Sequence, residues 1–148
     1  DVERSRGLGD VYKRQIGHGY TYSGHPVGAA AALAAIVETR RLDVVSNAAA
    51  RGTQLYDGMV SLAGQYPVVG DVRGGHGLMT AMELVADRET KAPIDGKLAI
   101  KMQKAAYQAG ALIRVSGPNV ILSPSLVIEE ADIDIALNAV EEGLKAIS

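Results

Sequence analysis

Gly19-Tyr20-Thr21-Tyr22-Ser23-Gly24-His25-Pro26, followed by Val27 and the run Ala29-Ala30-Ala31-Ala32, is the stretch from which the rest of the chain is read. Thr21 and Ser23 carry hydroxyl donors, and Gly24 permits close backbone approach. Pro26 suits the first position of a helix, where its missing N–H is not needed. Hydroxyls, backbone N–H groups and the positive end of a helix dipole together make the donor set of an anion site. The residue types are equally consistent with a plain turn in which Ser23 and Gly24 cap the helix.

The rest of the composition sets bounds. The chain has 148 residues, of which 47% are hydrophobic and 22% charged, with a formal net charge of −2. That is ordinary globular composition, and it favours neither nucleic acid nor an anionic membrane as a partner. No cysteine is present, so disulfides and thiolate metal sites are excluded. No apolar run reaches the roughly twenty residues of a membrane-spanning helix. A cytoplasmic enzyme fits these bounds. Phe and Trp are absent, and the six tyrosines are the only aromatic residues. The core must therefore be built from Ala, Val, Ile, Leu and Met.

Residues 1–15 mix charges without periodicity and read as a foreign join or a disordered segment. A helix is expected over 27–40, with Arg40 and Arg41 at its negative end. A second is expected over Val44 to Ala63, with Val45, Ala48, Gly52, Leu55, Met59 and Leu62 on its buried stripe and Gly64 as its stop. Val68 to Arg73 and Leu78 to Val85 read as strands joined by Gly74-Gly75-His76-Gly77. Lys97 to Ala109 reads as a helix with Leu98, Met102, Ala105 and Ala109 inward. Ala111 to Val115 and Asn119 to Ser123 read as a hairpin. Glu129 to Ile147 closes the chain as a helix with Ile133, Leu137, Val140 and Leu144 inward. Strands in adjacent pairs between helices argue an α+β layer with a mainly antiparallel sheet.

Two further segments carry candidate chemistry. Arg73 closes the first hairpin strand; its guanidinium could bind a carboxylate, and it is read as structural. Arg114, in Ala111-Leu112-Ile113-Arg114-Val115-Ser116-Gly117-Pro118, follows an apolar run and precedes a glycine turn, where a mobile loop is expected to begin. A guanidinium there can pair with a carboxylate through two parallel hydrogen bonds. His18, His25 and His76 match no zinc spacing, and no metal site is expected. His25 reads as part of the turn before the helix.

The Gly19–Pro26 string, with Val27 and the alanine run, resembles the phosphate-holding segment of class III (fold-type I) aminotransferases, in their ω-amino acid:pyruvate branch. Gly70-Asp71-Val72-Arg73-Gly74 through Glu83-Leu84-Val85 is similar to that family's hairpin, here one residue longer through Gly75 or His76. Gly110 to Leu126 is similar to its Gly-Leu-Ile…Arg…Pro-Pro-Leu stretch. Pro118 stands where the family usually has Asp, Ser125 where it has a second Pro, and Tyr20 where Phe is commoner. The resemblance implies pyridoxal phosphate (PLP) as cofactor, with Thr21 donating to its phosphate and Tyr20 beside it. It implies Arg114 as the group that binds the carboxylate of the amino or keto acid. It also implies a homodimer with shared active sites.

From the resemblance, residues 16–41 are expected to end the large cofactor domain and its linking helix, and residues 42–148 to form the small C-terminal domain. The lysine that holds the cofactor covalently and the Asp at its ring nitrogen are expected upstream of residue 1. The chain alone, a fragment on this reading, is expected to be catalytically silent, with no catalytic residue of its own. The function implied for the parent is transfer of an amino group from an ω-amino acid or amine to a keto acid such as pyruvate. Two alternatives remain: a PLP-dependent aminomutase or decarboxylase of the same fold, and an α+β binding module without chemistry.

Overall fold

The computed structural model describes residues 19–148. The reading of residues 1–15, and His18, lie outside these. The chain divides into two units, one ending at Glu38 and the other spanning Thr39–Ser148. The division falls inside the first helix, α1 (Pro26–Arg41).

Residues 19–38 hold a turn and most of α1. Pro26 is the first helical residue, and no residue of the helix is buried. Helix α1 ends at Arg41, just before Asp43, whose φ of 46° is left-handed and cannot continue a helix.

The unit Thr39–Ser148 follows with α2 (Val44–Gln65), β1 (Val69–Arg73), β2 (Thr80–Leu84), α3 (Gly96–Gln108), β3 (Arg114–Ser116), β4 (Asn119–Leu122) and α4 (Glu130–Lys145). The order of helices and strands is the one the sequence predicts. The strands form a sheet in the order β1-β2-β4-β3, and every pairing is antiparallel. Val72 faces Met82, Met82 faces Val120, and Val120 faces Val115. This row packs with Leu84 and Leu122 onto Leu55 and Met59 of α2, Met102 of α3, and Ile133 and Leu144 of α4. Helices cover one face of the sheet. The opposite face carries exposed Arg73, Arg114 and Ser116 and half-buried Ala81, Glu83, Asn119 and Ile121.

Several expectations are corrected. Helix α2 runs through Gly64 to Gln65 and stops where Tyr66 turns extended, at φ −115° and ψ 106°. The physical stop is Pro67, whose ring disfavours helical geometry in the residue before it. Val44, not Val45, is buried at the start of α2, and Val45 is 73% exposed. On α3 the buried face is Ala99, Met102 and Ala106. Ala105 and Ala109 are only half-buried, one position round the helix. Asp95 caps α3 by accepting the Lys97 N–H at 2.9 Å.

Arg88 contributes more than a polar exit from the hairpin. Its guanidinium donates to the carbonyls of Ala63 at 2.5 Å, Tyr66 at 3.3 Å and Val69 at 2.9 Å. It thereby satisfies the end of α2 and ties it to the start of β1.

The hairpin loop Gly74–Gly77 needs its glycines: Gly75 has φ +86° and Gly77 φ +78°. The loop lies against α2 at Gly52, where an added Cβ would overlap the Gly77 carbonyl. Gly64, on the exposed side of the same helix, has open space around it. Opposite outcomes follow for one chemical change. Gly52→Ala is expected to destabilise the protein by about 2 kcal/mol through overpacking. Gly64→Ala is expected to stabilise it by about 0.5–1 kcal/mol through helix propensity. Urea unfolding of both variants beside the parent checks the signs.

Candidate functional site

The first candidate element is the turn ahead of α1. The Ser23 N–H donates to the Tyr20 carbonyl at 2.9 Å, which closes a tight turn with Thr21 and Tyr22 at its centre. The Ser23 hydroxyl accepts the Tyr20 N–H at 2.9 Å and locks the same turn from the other side. Gly24 then takes φ +75°, and the His25 N–H donates to the Tyr22 carbonyl at 3.1 Å. Thr21 is exposed, and the Tyr20 ring beside it is 71% exposed.

The cap of α1 is His25, neither Ser23 nor Gly24. The His25 carbonyl accepts the first helical bond from Ala29 at 2.9 Å, and its Nδ1 accepts the Gly28 N–H at 3.3 Å. An accepting Nδ1 leaves the neutral ring's proton on Nε2. The ring also meets Tyr22 edge-on, with centroids 6.0 Å apart. With the Ser23 oxygen engaged inside the turn, an imidazole takes over the N-terminal N–H that Ser or Asp usually satisfies. The sequence placed His25 in this turn but missed its capping role. His25, immediately before a helix-starting proline, was the available signal.

The second candidate element is Arg114, in the other unit. It is exposed and is the first residue of β3, paired opposite Ile121. The strand expected over 111–115 holds at Arg114 but is shifted, starting at Arg114 and running to Ser116, so Arg114 is its first residue rather than the start of a loop. The side chain borders a cavity of about 710 Å³ whose walls include Met79, Leu112, Ile121, Pro124 and Ile135.

Arg73 and Arg114 end the same cross-sheet row, Arg73–Ala81–Ile121–Arg114. Their electrostatic surroundings differ. The Arg73 guanidinium lies 3.5 Å from both Asp71 and Glu83 and donates to Asn119 Oδ1 at 2.8 Å. Arg114 makes no ion pair among the described residues. The structural reading of Arg73 agrees with this geometry. Also among the described residues, no group of His, Asp and Glu is placed to hold a metal ion, and no helix is long and apolar enough to cross a membrane.

The family model for aminotransferase class III matches residues 7–144. The chain belongs to the class III aminotransferases. This class III chain is 37% identical over 145 residues to the taurine–pyruvate aminotransferase of Bilophila wadsworthia, covering 93% of its own length and 31% of the relative's. It is 35% identical to the leucine/methionine racemase of Thermococcus litoralis, covering 87% of its own length and 29% of that protein's. Among solved structures it is similar to a PLP-bound amine transaminase from an uncultivated Pseudomonas species. That match has a TM-score of 0.81 and 38% identity, over 93% of this chain and 31% of that one. The chain thus spans about a third of the length of the proteins it matches. The small α+β architecture with an antiparallel sheet described above matches about a third of that transaminase structure.

If the cap is as described, His25→Ala is expected to weaken the first turn of α1 by about 1 kcal/mol. Amide hydrogen exchange at Gly28 and Ala29 should quicken by about five-fold. Unchanged exchange there would remove His25 from the cap.

Proposed function

We propose that these residues are the cofactor-phosphate turn and the carboxylate-binding arginine of a PLP-dependent ω-transaminase. A protein of the relatives' length would move an amino group from an ω-amino acid or amine to a keto acid such as pyruvate. The observation that carries this reading is the contrast on one sheet face. Asp71 and Glu83 occupy the Arg73 guanidinium, whereas Arg114 meets no carboxylate among the described residues and borders an open cavity.

The Tyr20–Gly24 turn fits a phosphate monoester, because it offers an exposed hydroxyl just ahead of a helix start. Thr21 would hold the PLP phosphate by donating from Oγ1, and the Tyr20 ring would lie beside the cofactor. PLP, when bound, supplies the electron sink that makes the substrate's Cα–H acidic. Arg114 would bind the carboxylate of an amino or keto acid with two parallel N–H···O bonds, and would be left without that partner by a carboxylate-free amine. In this reading the covalent amine and the proton shuttle would come from a lysine outside residues 19–148 of such a protein, because none of Lys91, Lys97, Lys101, Lys104 and Lys145 has a counterpart in the family's pattern. The 148-residue chain alone is expected not to turn over. A homodimer with shared active sites is part of the proposal.

The similarity to a racemase favours one second reading, a PLP-dependent isomerase or aminomutase on the same framework. Transfer of an isotopically labelled amino group from one substrate to another separates the two.

In an active protein of the relatives' length that carries this segment, Thr21→Ala is expected to raise the PLP dissociation constant by about ten-fold, the loss of one charge-assisted hydrogen bond. Arg114→Ala is expected to raise KM for carboxylate-bearing substrates by about thirty-fold, with a much smaller change for carboxylate-free amines. Unaltered PLP retention would refute the role of Thr21. Equal losses on both substrate types would refute that of Arg114.

A further inference from the structure

Ahead of β3, the Ile113 carbonyl accepts a hydrogen bond from Gln103 Nε2 at 2.8 Å. Gln103 stands half-buried on α3. The Ile113 carbonyl and the Arg114 N–H belong to one rigid peptide plane, so holding one end orients the other. The same residues are fixed on two further sides. The Ile113 side chain is 3% exposed and sits in the core, and the Arg114 backbone pairs with Ile121 of β4. The root of the Arg114 side chain is therefore clamped by core, strand and helix, while its guanidinium stays exposed.

We infer that Gln103 is a positioning residue for Arg114, setting the point from which the guanidinium reaches a substrate carboxylate. This rests on the carboxylate-binding reading of Arg114. A guanidinium at the end of a long flexible stem gains bidentate geometry only if its base is fixed; otherwise the stem's freedom is lost anew at each binding event. Core packing of Ile113 and pairing with β4 leave the orientation of the Ile113–Arg114 peptide to one further contact. Gln103 supplies it through a single bond across ten residues of chain. A purely structural role for Gln103, the satisfaction of a half-buried carbonyl, would lower stability without distinguishing charged from neutral ligands.

The test uses the PLP-loaded protein of the relatives' length that carries this segment. Gln103→Met keeps the side chain's length and removes the donor, and Gln103→His keeps a ring N–H at similar reach. Binding of propanoate and of its neutral isostere propanamide is followed by calorimetry. KM and kcat are measured for an amino acid and for a carboxylate-free amine. Gln103→Met is expected to weaken propanoate binding about five-fold and leave propanamide unchanged. KM for the amino acid should rise by the same factor, with kcat held within about two-fold. Gln103→His should restore most of the loss. In an Arg114→Ala background Gln103→Met should add nothing. Should Gln103→Met not fold, Gln103→Asn, one methylene too short to reach, serves in its place. Equal changes for propanoate and propanamide, or a full extra loss on top of Arg114→Ala, would overturn the inference while leaving the role of Arg114 intact. Unaltered propanoate binding in Arg114→Ala alone would overturn the role of Arg114 itself.

Discussion

The antiparallel pairing of β2 with β4 is the constraint on which the rest of the Thr39–Ser148 unit depends. It joins two hairpins that are far apart in sequence, and it sets Met82 against Val120 and Ala81 against Ile121. The first pair belongs to the core, and the second to the face without helices. Side chains alternate with a period of two, so a slip of one residue would exchange those faces. Ala81, Glu83 and Asn119 would turn into the space filled by Met102, Ile133 and Leu144. Burying a carboxylate and an amide there is far costlier than any hydrogen bond the slipped ladder keeps. The apolar row thus fixes the polar row, and with it the side on which Arg73 and Arg114 emerge.

That polar face is uneven in charge. Asp71, Glu83 and Asn119 gather at the β1 end, where they occupy Arg73. Exposed pairs of this kind add little stability. Their consequence is selectivity: a guanidinium already facing two carboxylates offers little to a third. At the β3 end Arg114 lines a mostly apolar cavity with residues such as Leu112 and Met79, and with Asp132, to which it makes no ion pair. Two exposed arginines in one row of one sheet thereby have different electrostatic surroundings. In the first unit a comparable division of labour operates within a few residues. Ser23 and His25 are consumed in holding the turn and the helix start, while Thr21, just ahead of them, carries no such duty.

Much of this was legible in the sequence. Element order and the antiparallel sheet followed from apolar periodicity and glycine spacing, because strand and helix patterns are local. The Gly19–Pro26 string marked the family through its length. What could not be read was long-range. One local signal was passed over: Pro67, three residues beyond Gly64, ends α2, since a glycine in a helix is costly but permitted. Nothing near Arg88 announces three backbone carbonyls, one of them 25 residues away, as its partners. The buried face of α3 differs from the expected one by a single position, because alanines fill both stripes and the pattern cannot distinguish them. The hairpin around Gly117 was legible, but its first strand begins at Arg114 and not at Ala111, because only Arg114 to Ser116 find partners on β4.

Those long-range features share a purpose that local patterns do not express. Three side chains, Arg88, Gln103 and Asn47, each donate to carbonyls in irregular segments: the α2–β1 junction, the approach to β3, and Leu126 and Ile128 before α4. Irregular backbone leaves some polar groups without backbone partners, and side chains from α2, α3 and the turn after β2 satisfy them where such a segment packs against the core. The same bonds make those segments stiff. If Arg114 acts as proposed above, stiffness in the approach to β3 bears on function, because the residue immediately after the clamped carbonyl is Arg114. An arginine on freely moving backbone would meet a carboxylate in many poses and hold none of them well. On a fixed backbone it has only its own stem to arrange, and moving that stem aside for a neutral substrate disturbs nothing else in the fold.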